Sequence, residues 1–274
     1  MSASVAPVET VRSADGTVIA HRRLGRGPAV VALHGGLGSA ASWAPVAERL
    51  ADRYEFFLID RRGRGHSGNG SDPHSLDREV DDARAVLHVA GAGAVLLGHS
   101  YGGAVAMETA RLAAPGELAA VAVYEPAVGV GGLIAPAEID RVDELIRAGR
   151  HGSALEHGLA MLDAAGLVTR ARMSPGARRP QALLAIAWTV SRELRAGDAL
   201  GTDLSRFAEL ELPALVLAGS ASPARQRRTC EDLARTLPGG EIAWLPDLGH
   251  VAHTAAPDTV AAALSSFLEA LPPR

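Results

Sequence analysis

Short apolar runs alternate along this chain with longer stretches in which apolar residues recur every three or four positions. Residues 29–33, 54–59, 94–97, 118–124 and 213–218 are the apolar runs, and runs of this kind predict strands buried on both faces of a parallel sheet. Residues 42–51, 75–89 and the Ala-rich stretch after Ser100 read as helices between them, with Ser42 as an N-cap. Near the N-terminus, residues 8–12 and 17–24 flank Ala14-Asp15-Gly16 and predict a hairpin of two edge strands. Toward the C-terminus the order is a helix over 223–237, a last strand over 241–245 and a closing helix over 257–271.

Strands alternating with helices predict an α/β fold with a doubly wound, mostly parallel sheet. Sites in such sheets lie beyond the carboxyl ends of the strands. The alternation stops between 127 and 212, where 136–150, 153–165, 175–194 and 203–210 read as helices broken by Gly and Pro. We therefore expect one α/β core, formed by residues 1–126 and 213–274, with a helical cap inserted over 127–212.

Composition narrows the class. The chain has 274 residues, 47% hydrophobic and 21% charged, with a formal net charge of −4. That balance is typical of a soluble globular protein and offers no basic footprint for nucleic acid or an anionic membrane. No apolar run reaches the roughly 18 residues of a membrane span, and the first residues lack a secretory pattern, so the expected location is cytoplasmic. The expected partner is a small-molecule substrate, met by a monomer or homodimer. All 27 basic residues are arginine, which excludes a lysine Schiff base, a lysine nucleophile and a lysine-containing P-loop. Cys230 is the single cysteine, expected as a small buried residue on a helix.

The chemistry centres on Gly98-His99-Ser100-Tyr101-Gly102, set between a buried strand and a helix. A strand-to-helix turn this tight brings backbone against backbone, so glycines stand two before and two after the serine. The strain lifts the Ser100 hydroxyl above the sheet and sets the Tyr101 N–H beside it at the positive end of the helix. A serine hydroxyl needs a base. His250 fits, because the short Pro246-Asp247-Leu248-Gly249 turn returns it to the carboxyl edge of the sheet. A His250/His253 metal pair lacks a third ligand, so no metal and no cofactor are expected. His99 is expected to pack sideways. The formal G-x-G-x-x-G at Gly63, Gly65 and Gly68 is followed by Asn69-Gly70 instead of a helix, so it reads as a structural turn held by Asp60, not a nucleotide site. Arg170, Arg172, Arg178 and Arg179 read as a solvated basic loop.

His34-Gly35-Gly36, Asp60 through Gly65, Gly98 through Gly102 and Gly249-His250, each after a strand, make the chain resemble an α/β-hydrolase across its core. The resemblance implies a serine nucleophile, an acid and a histidine in that chain order, and it implies Gly36 as the second oxyanion donor. His34 reads as a loop-fixing hydrogen-bond donor. The commoner pattern places an aspartate after the strand over 213–218, yet here the loop is Gly219-Ser220-Ala221-Ser222-Pro223. Some branches, including haloalkane dehalogenases and fungal zearalenone lactonases, carry the acid one strand earlier, where this chain has Glu125. A carboxylate ending a buried strand needs a partner, and an imidazolium is one. Glu125 is thus the expected acid, with Asp247 as the alternative.

A serine in place of an aspartate argues against dehalogenation and epoxide hydrolysis, and for attack on an ester or lactone carbonyl. The alternatives on this fold are a cofactor-free C–C hydrolase, lyase or perhydrolase, a receptor-like binding module, and a degenerate member without activity. His34, Met161 and Trp188 are the expected pocket residues, with Met173, Leu183, Leu184 and Ile186 beside them. The cap residues in that set could equally form the cap's own core.

Overall fold

The computed structural model describes residues 7–70, 73–169 and 186–272. Eight strands form one sheet: β1 (Val8–Arg12), β2 (Val18–Gly25), β3 (Ala29–Leu33), β4 (Glu55–Asp60), β5 (Ala94–His99), β6 (Leu118–Tyr124), β7 (Ala214–Gly219) and β8 (Gly240–Leu245). Their spatial order is β1-β2-β4-β3-β5-β6-β7-β8. Pairing is antiparallel at β1/β2 and β2/β4 and parallel everywhere else. One expectation changes here. The first hairpin supplies a single edge strand, because β2 pairs on its other side with β4, and the polar run His21-Arg22-Arg23 hides that double pairing.

The apolar runs are long in β-branched and aromatic residues because both faces of these strands are covered. Val31, Leu33, Phe57, Ile59, Leu96, Val121 and Val216 face one layer, packed by α2 (Leu76–Ala90), α3 (Ser100–Arg111) and the helix over Ala224–Thr236. Their neighbours Val30, Ala32, Phe56, Leu58, Val95, Leu97 and Leu217 face the opposite layer, packed by α1 (Ala44–Leu50) and the closing helix over Pro257–Ala270. Each large aliphatic side chain buried this way contributes about 1.5–3 kcal/mol. Cys230 is buried against the first layer as expected, and burial pushes its thiol up.

Between β6 and β7 the described elements are helical: α4 (Pro136–Arg147), α5 (His151–Ala164) and α6 (Val190–Asp198). α4, α5 and α6 share a small apolar core of their own, built from Ile139, Val142, Leu145, Ala154, Met161 and Val190. The helix expected over 203–210 is reduced to a single turn at Ser205–Phe207. The one expected over 175–194 lies largely outside the described residues, as do Arg170, Arg172, Met173, Arg178, Arg179, Leu183 and Leu184. After β7 come α7 (Ala224–Thr236), the short α8 (Ala252–Ala255) and α9 (Pro257–Ala270). α1 begins two residues later than expected, because Ser42 accepts from the Ser39 N–H inside a preceding turn and does not cap the helix. None of the described helices is long and apolar enough to cross a membrane.

Candidate active site

The turn between β5 and α3 has the close backbone approaches its glycines predict. A Cβ at Gly98 would stand 2.5 Å from the Gly102 carbonyl oxygen, and one at Gly102 would stand 2.3 Å from that of His34. Ser100 itself takes a positive φ of 52°, and its carbonyl is anchored by the Ala127 N–H at 2.9 Å. Among the described residues only three non-glycine positions have positive φ, namely Ser100, Glu125 and Asp247. Such strain costs on the order of 1–3 kcal/mol per residue and clusters where geometry serves chemistry.

Glu125 ends β6 and is 1% exposed. Its Oε2 accepts from His250 Nδ1 at 2.8 Å, while Oε1 accepts from the Gly219 N–H at 2.8 Å and the Ser222 hydroxyl at 2.6 Å. A carboxylate accepts and does not donate, so Nδ1 carries the proton and Nε2 is left as the basic nitrogen. The loop where the commoner pattern carries an aspartate instead supplies two donors to the glutamate facing it. Asp247 plays another part: its backbone N–H donates to Ser220 Oγ at 2.8 Å, and no hydrogen bond or ion pair joins its side chain to His250 among the described residues. Of the two carboxylates, Glu125 is the one joined to the histidine.

The backbone around His250 is held from three sides. His99 Nε2 donates to the His250 carbonyl at 2.8 Å, the Tyr124 hydroxyl donates to the Gly249 carbonyl, and the Ala252 N–H donates to the Tyr124 oxygen at 3.2 Å. Burial pushes the Tyr124 phenol up, so it remains a donor. The His250 ring centroid lies 4.6 Å from that of His99, the residue before Ser100. Ser100 Oγ makes no hydrogen bond among the described residues. Tyr124 and His99 escape sequence reasoning because their work is done through backbone atoms far along the chain.

Ser100 and Tyr101 open onto a cleft lined mostly by apolar side chains. Gly36 and Leu37 line it from the β3 loop, and Val130, Ile134, Leu155, Leu159 and Leu194 are among the apolar residues facing them from the insertion. Glu193 and Asp198 of α6 also line it. The Gly36 carbonyl accepts from Arg64 Nη1 at 3.3 Å, and no hydrogen bond engages its N–H among the described residues.

The three expected pocket residues lie elsewhere. Met161 belongs to the insertion's own apolar core, since α5 turns that face toward α4. Trp188 packs on Gly63 and carries the Arg192 guanidinium 4.5 Å over its ring. His34 is fully buried under the cleft, its Nε2 accepting from the Arg61 N–H at 3.1 Å and its Nδ1 donating to the Gly35 carbonyl at 2.8 Å. Burial, with Arg61 and Arg64 nearby, holds its pKa well below the ordinary histidine value. It fixes the loop, as expected of it. Its ring makes no wall of the cleft.

The Asp60 loop does more than turn. Asp60 accepts from the Ala40 and His66 N–H groups at 2.8 and 3.1 Å, which is the structural role expected. Arg61, Arg62 and Arg64 from the same loop are buried to 1% exposure, and each has a carboxylate partner. Arg61 Nε donates to Glu79 at 2.8 Å, and Arg61 and Arg64 both donate to Glu193 of α6. Burial works against the Arg61 charge, yet Glu193 and Glu79 raise its pKa overall. Glu79 is raised by burial and lowered by Arg61, with the arginine prevailing. In sequence these arginines were indistinguishable from a solvated loop. Among the described residues no group of three or more His, Cys, Asp or Glu side chains could hold a metal ion.

Comparison with known proteins fits this geometry. A pimeloyl-[acyl-carrier protein] methyl ester esterase from Xanthomonas campestris pv. campestris is 32% identical over 91% of this chain and 98% of its own length. An N-formylmaleamate deformylase from Pseudomonas putida is 26% identical over 89% of this chain and 90% of its own. The crystal structure of an alpha/beta hydrolase from Sphaerobacter thermophilus superposes with a TM-score of 0.80 at 34% identity, covering 95% of this chain and all of that one. Residues 30–263 match the Alpha/beta hydrolase family, so the chain belongs to that family and is an enzyme, a hydrolase.

Proposed function

We propose that this hydrolase cleaves a carboxylic ester or lactone of a small to medium, largely apolar substrate through an acyl-enzyme. The observation that carries the reading is the 2.8 Å Glu125–His250 pair, whose imidazole packs on His99, together with the strained Ser100 that follows His99 and lines an apolar cleft. Ser100 Oγ attacks the carbonyl carbon while His250 Nε2 takes its proton, and Glu125 holds the imidazole in the tautomer that allows this. The N–H groups of Tyr101 and Gly36 receive the oxyanion. His250 then returns the proton to the leaving alcohol. Water, deprotonated by the same nitrogen, attacks the acyl-enzyme and releases the acid and free Ser100. Residues 127–212 act as the cap over the core of 1–126 and 213–274, and give the cleft the apolar wall that receives the acyl group.

Ester cleavage is preferred over the other reactions of this fold because several relatives carry the name of an ester hydrolase. The deformylase relative argues for including N-formyl amides in a substrate panel. A fluorophosphonate probe should label the wild type at Ser100 and leave Ser100→Ala unlabelled. Steady p-nitrophenol release from short acyl esters, lost in Ser100→Ala, is the expected result. Labelling without turnover of any ester, lactone or thioester would reject ester hydrolysis, and absence of labelling would reject an activated serine.

A further inference from the structure

This inference rests on the esterase reading of the Ser100 cleft and names what that cleft selects. Glu193 joins the cleft to the arginines buried beneath it. Its Oε1 accepts from both Arg61 Nη2 and Arg64 Nη2, the latter at 2.5 Å. No donor reaches Oε2 among the described residues, and Oε2 lies 3.3 Å from the point where a Cβ on Gly36 would stand. Glu193, Gly36 and Ser100 all line the same cleft. One oxygen of the carboxylate is therefore pinned, and the other is presented beside the place proposed for the scissile carbonyl.

The guanidiniums behind Glu193 are held by several partners, with Arg64 Nε alone among their nitrogens buried without one among the described residues. Arg61 gives its Nε to Glu79 and its Nη1 to the His34 carbonyl, while Arg64 gives its Nη1 to the Gly36 and Gly38 carbonyls and its Nη2 to Thr189 and Glu193. Neither guanidinium is among the described residues that line the cleft. Its other charged lining residue is Asp198, which accepts from the Gly132 N–H at 2.7 Å. Among the described residues the cleft wall thus offers acceptors and no cation. A carboxylate oxygen with no protein donor, opening onto a mostly apolar cleft, favours a substrate that brings a donor. An anionic group in the same place would meet a like charge at short range.

The geometry points to Glu193 as a specificity-determining residue. Its Oε2 accepts a hydrogen bond from a hydroxyl or amino group on the carbon next to the scissile carbonyl. The enzyme accordingly takes esters of 2-hydroxy or 2-amino acids and turns away 2-carboxylates.

The test compares four ligands sharing one carbon chain: ethyl hexanoate, ethyl 2-hydroxyhexanoate, ethyl 2-aminohexanoate and monoethyl butylmalonate. Calorimetric binding to the Ser100→Ala protein reads selectivity without turnover, and a pH-stat reads kcat/KM of the wild type. The hydroxy or the amino ester should bind about tenfold or more tighter than ethyl hexanoate, the gain of a hydrogen bond to a charged acceptor. The malonate should bind weakest of the four. Glu193→Gln can keep its oxygen toward the arginines while turning an N–H toward the cleft, so it should abolish the preference and admit the malonate. Glu193→Asp keeps the charge pair but withdraws the carboxylate by one methylene, and should lose the preference even where the glutamine variant does not fold. Equal dissociation constants for the plain, hydroxy and amino esters, or binding of none, would overturn the assignment. Selective binding with no turnover would uphold Glu193 and remove the ester reading. Turnover of ethyl hexanoate with no selectivity would do the reverse.

Discussion

Two buried glutamates flank the working end of this sheet, and they are held in opposite ways. Glu125 is gripped by neutral donors, the Gly219 N–H and the Ser222 hydroxyl, and among the described residues its one ionisable hydrogen-bond partner is His250. Glu193 is gripped by two guanidiniums that never lose their charge. A partner whose charge comes and goes suits a reaction in which a proton must move. A permanent ion pair suits a fixed wall, and here it also ties α6 of the insertion to the loop after β4. Replacing the two should therefore fail in different measurements. Glu125 should register in the rate, and Glu193 in stability.

Several experiments would break or sharpen that contrast. Ser100→Ala, the common reference, should lower kcat for p-nitrophenyl esters by more than about 10⁴-fold with an unchanged circular dichroism spectrum. Glu125→Gln should lower kcat by up to about 10⁴-fold through loss of the imidazole's orientation, whereas Asp247→Asn should leave it near the wild-type value. Full activity in Glu125→Gln would end the assignment of the acid. Glu193→Ala strands part of the charge of Arg61 and Arg64 in the interior, and should cost about 3–5 kcal/mol in urea unfolding. A cost below about 1 kcal/mol would show that the pair does not hold the insertion. Tyr124→Phe leaves the Gly249 carbonyl without its donor, and should cost about 1–3 kcal/mol while lowering kcat with an unshifted pH profile.

The smallest effect belongs to His34. Its folded pKa is depressed, so below the ordinary histidine value the unfolded chain binds a proton that the folded chain does not. Stability is then full above about pH 6.5 and falls as the pH drops, by at most about 1.4 kcal/mol per pH unit from this residue. His34→Gln should flatten the slope of unfolding free energy between pH 6.5 and 5 by up to that amount. An unchanged slope would show that His34 titrates normally.

Much of this was legible before any coordinates. The strands could be read because a residue covered on both faces must be apolar whatever its partners, and β3 through β7 obey that locally. Ser100 could be read because its strain needs Gly98 and Gly102, both nearby in the chain. Glu125 could be read because a carboxylate ending a buried strand demands a partner, and His250 answers the demand. The β2 pairing is hidden in the sequence because a strand carrying the adjacent Arg22 and Arg23 looks like an edge, whereas Arg23 pairs with Glu55.

By itself the sequence determined the sheet, the turn that strains the serine, and the carboxylate and imidazole that meet, since each depends on local pattern or on one obligatory partnership. Only the tertiary structure decided that Met161 and Trp188 turn from the cleft, that Arg61 and Arg64 are buried, and that Glu193 reaches Gly36. The reason is physical. A helix presents several faces, and which face is a wall depends on what packs against it. A buried arginine reads as a surface one until its distant carboxylate is found.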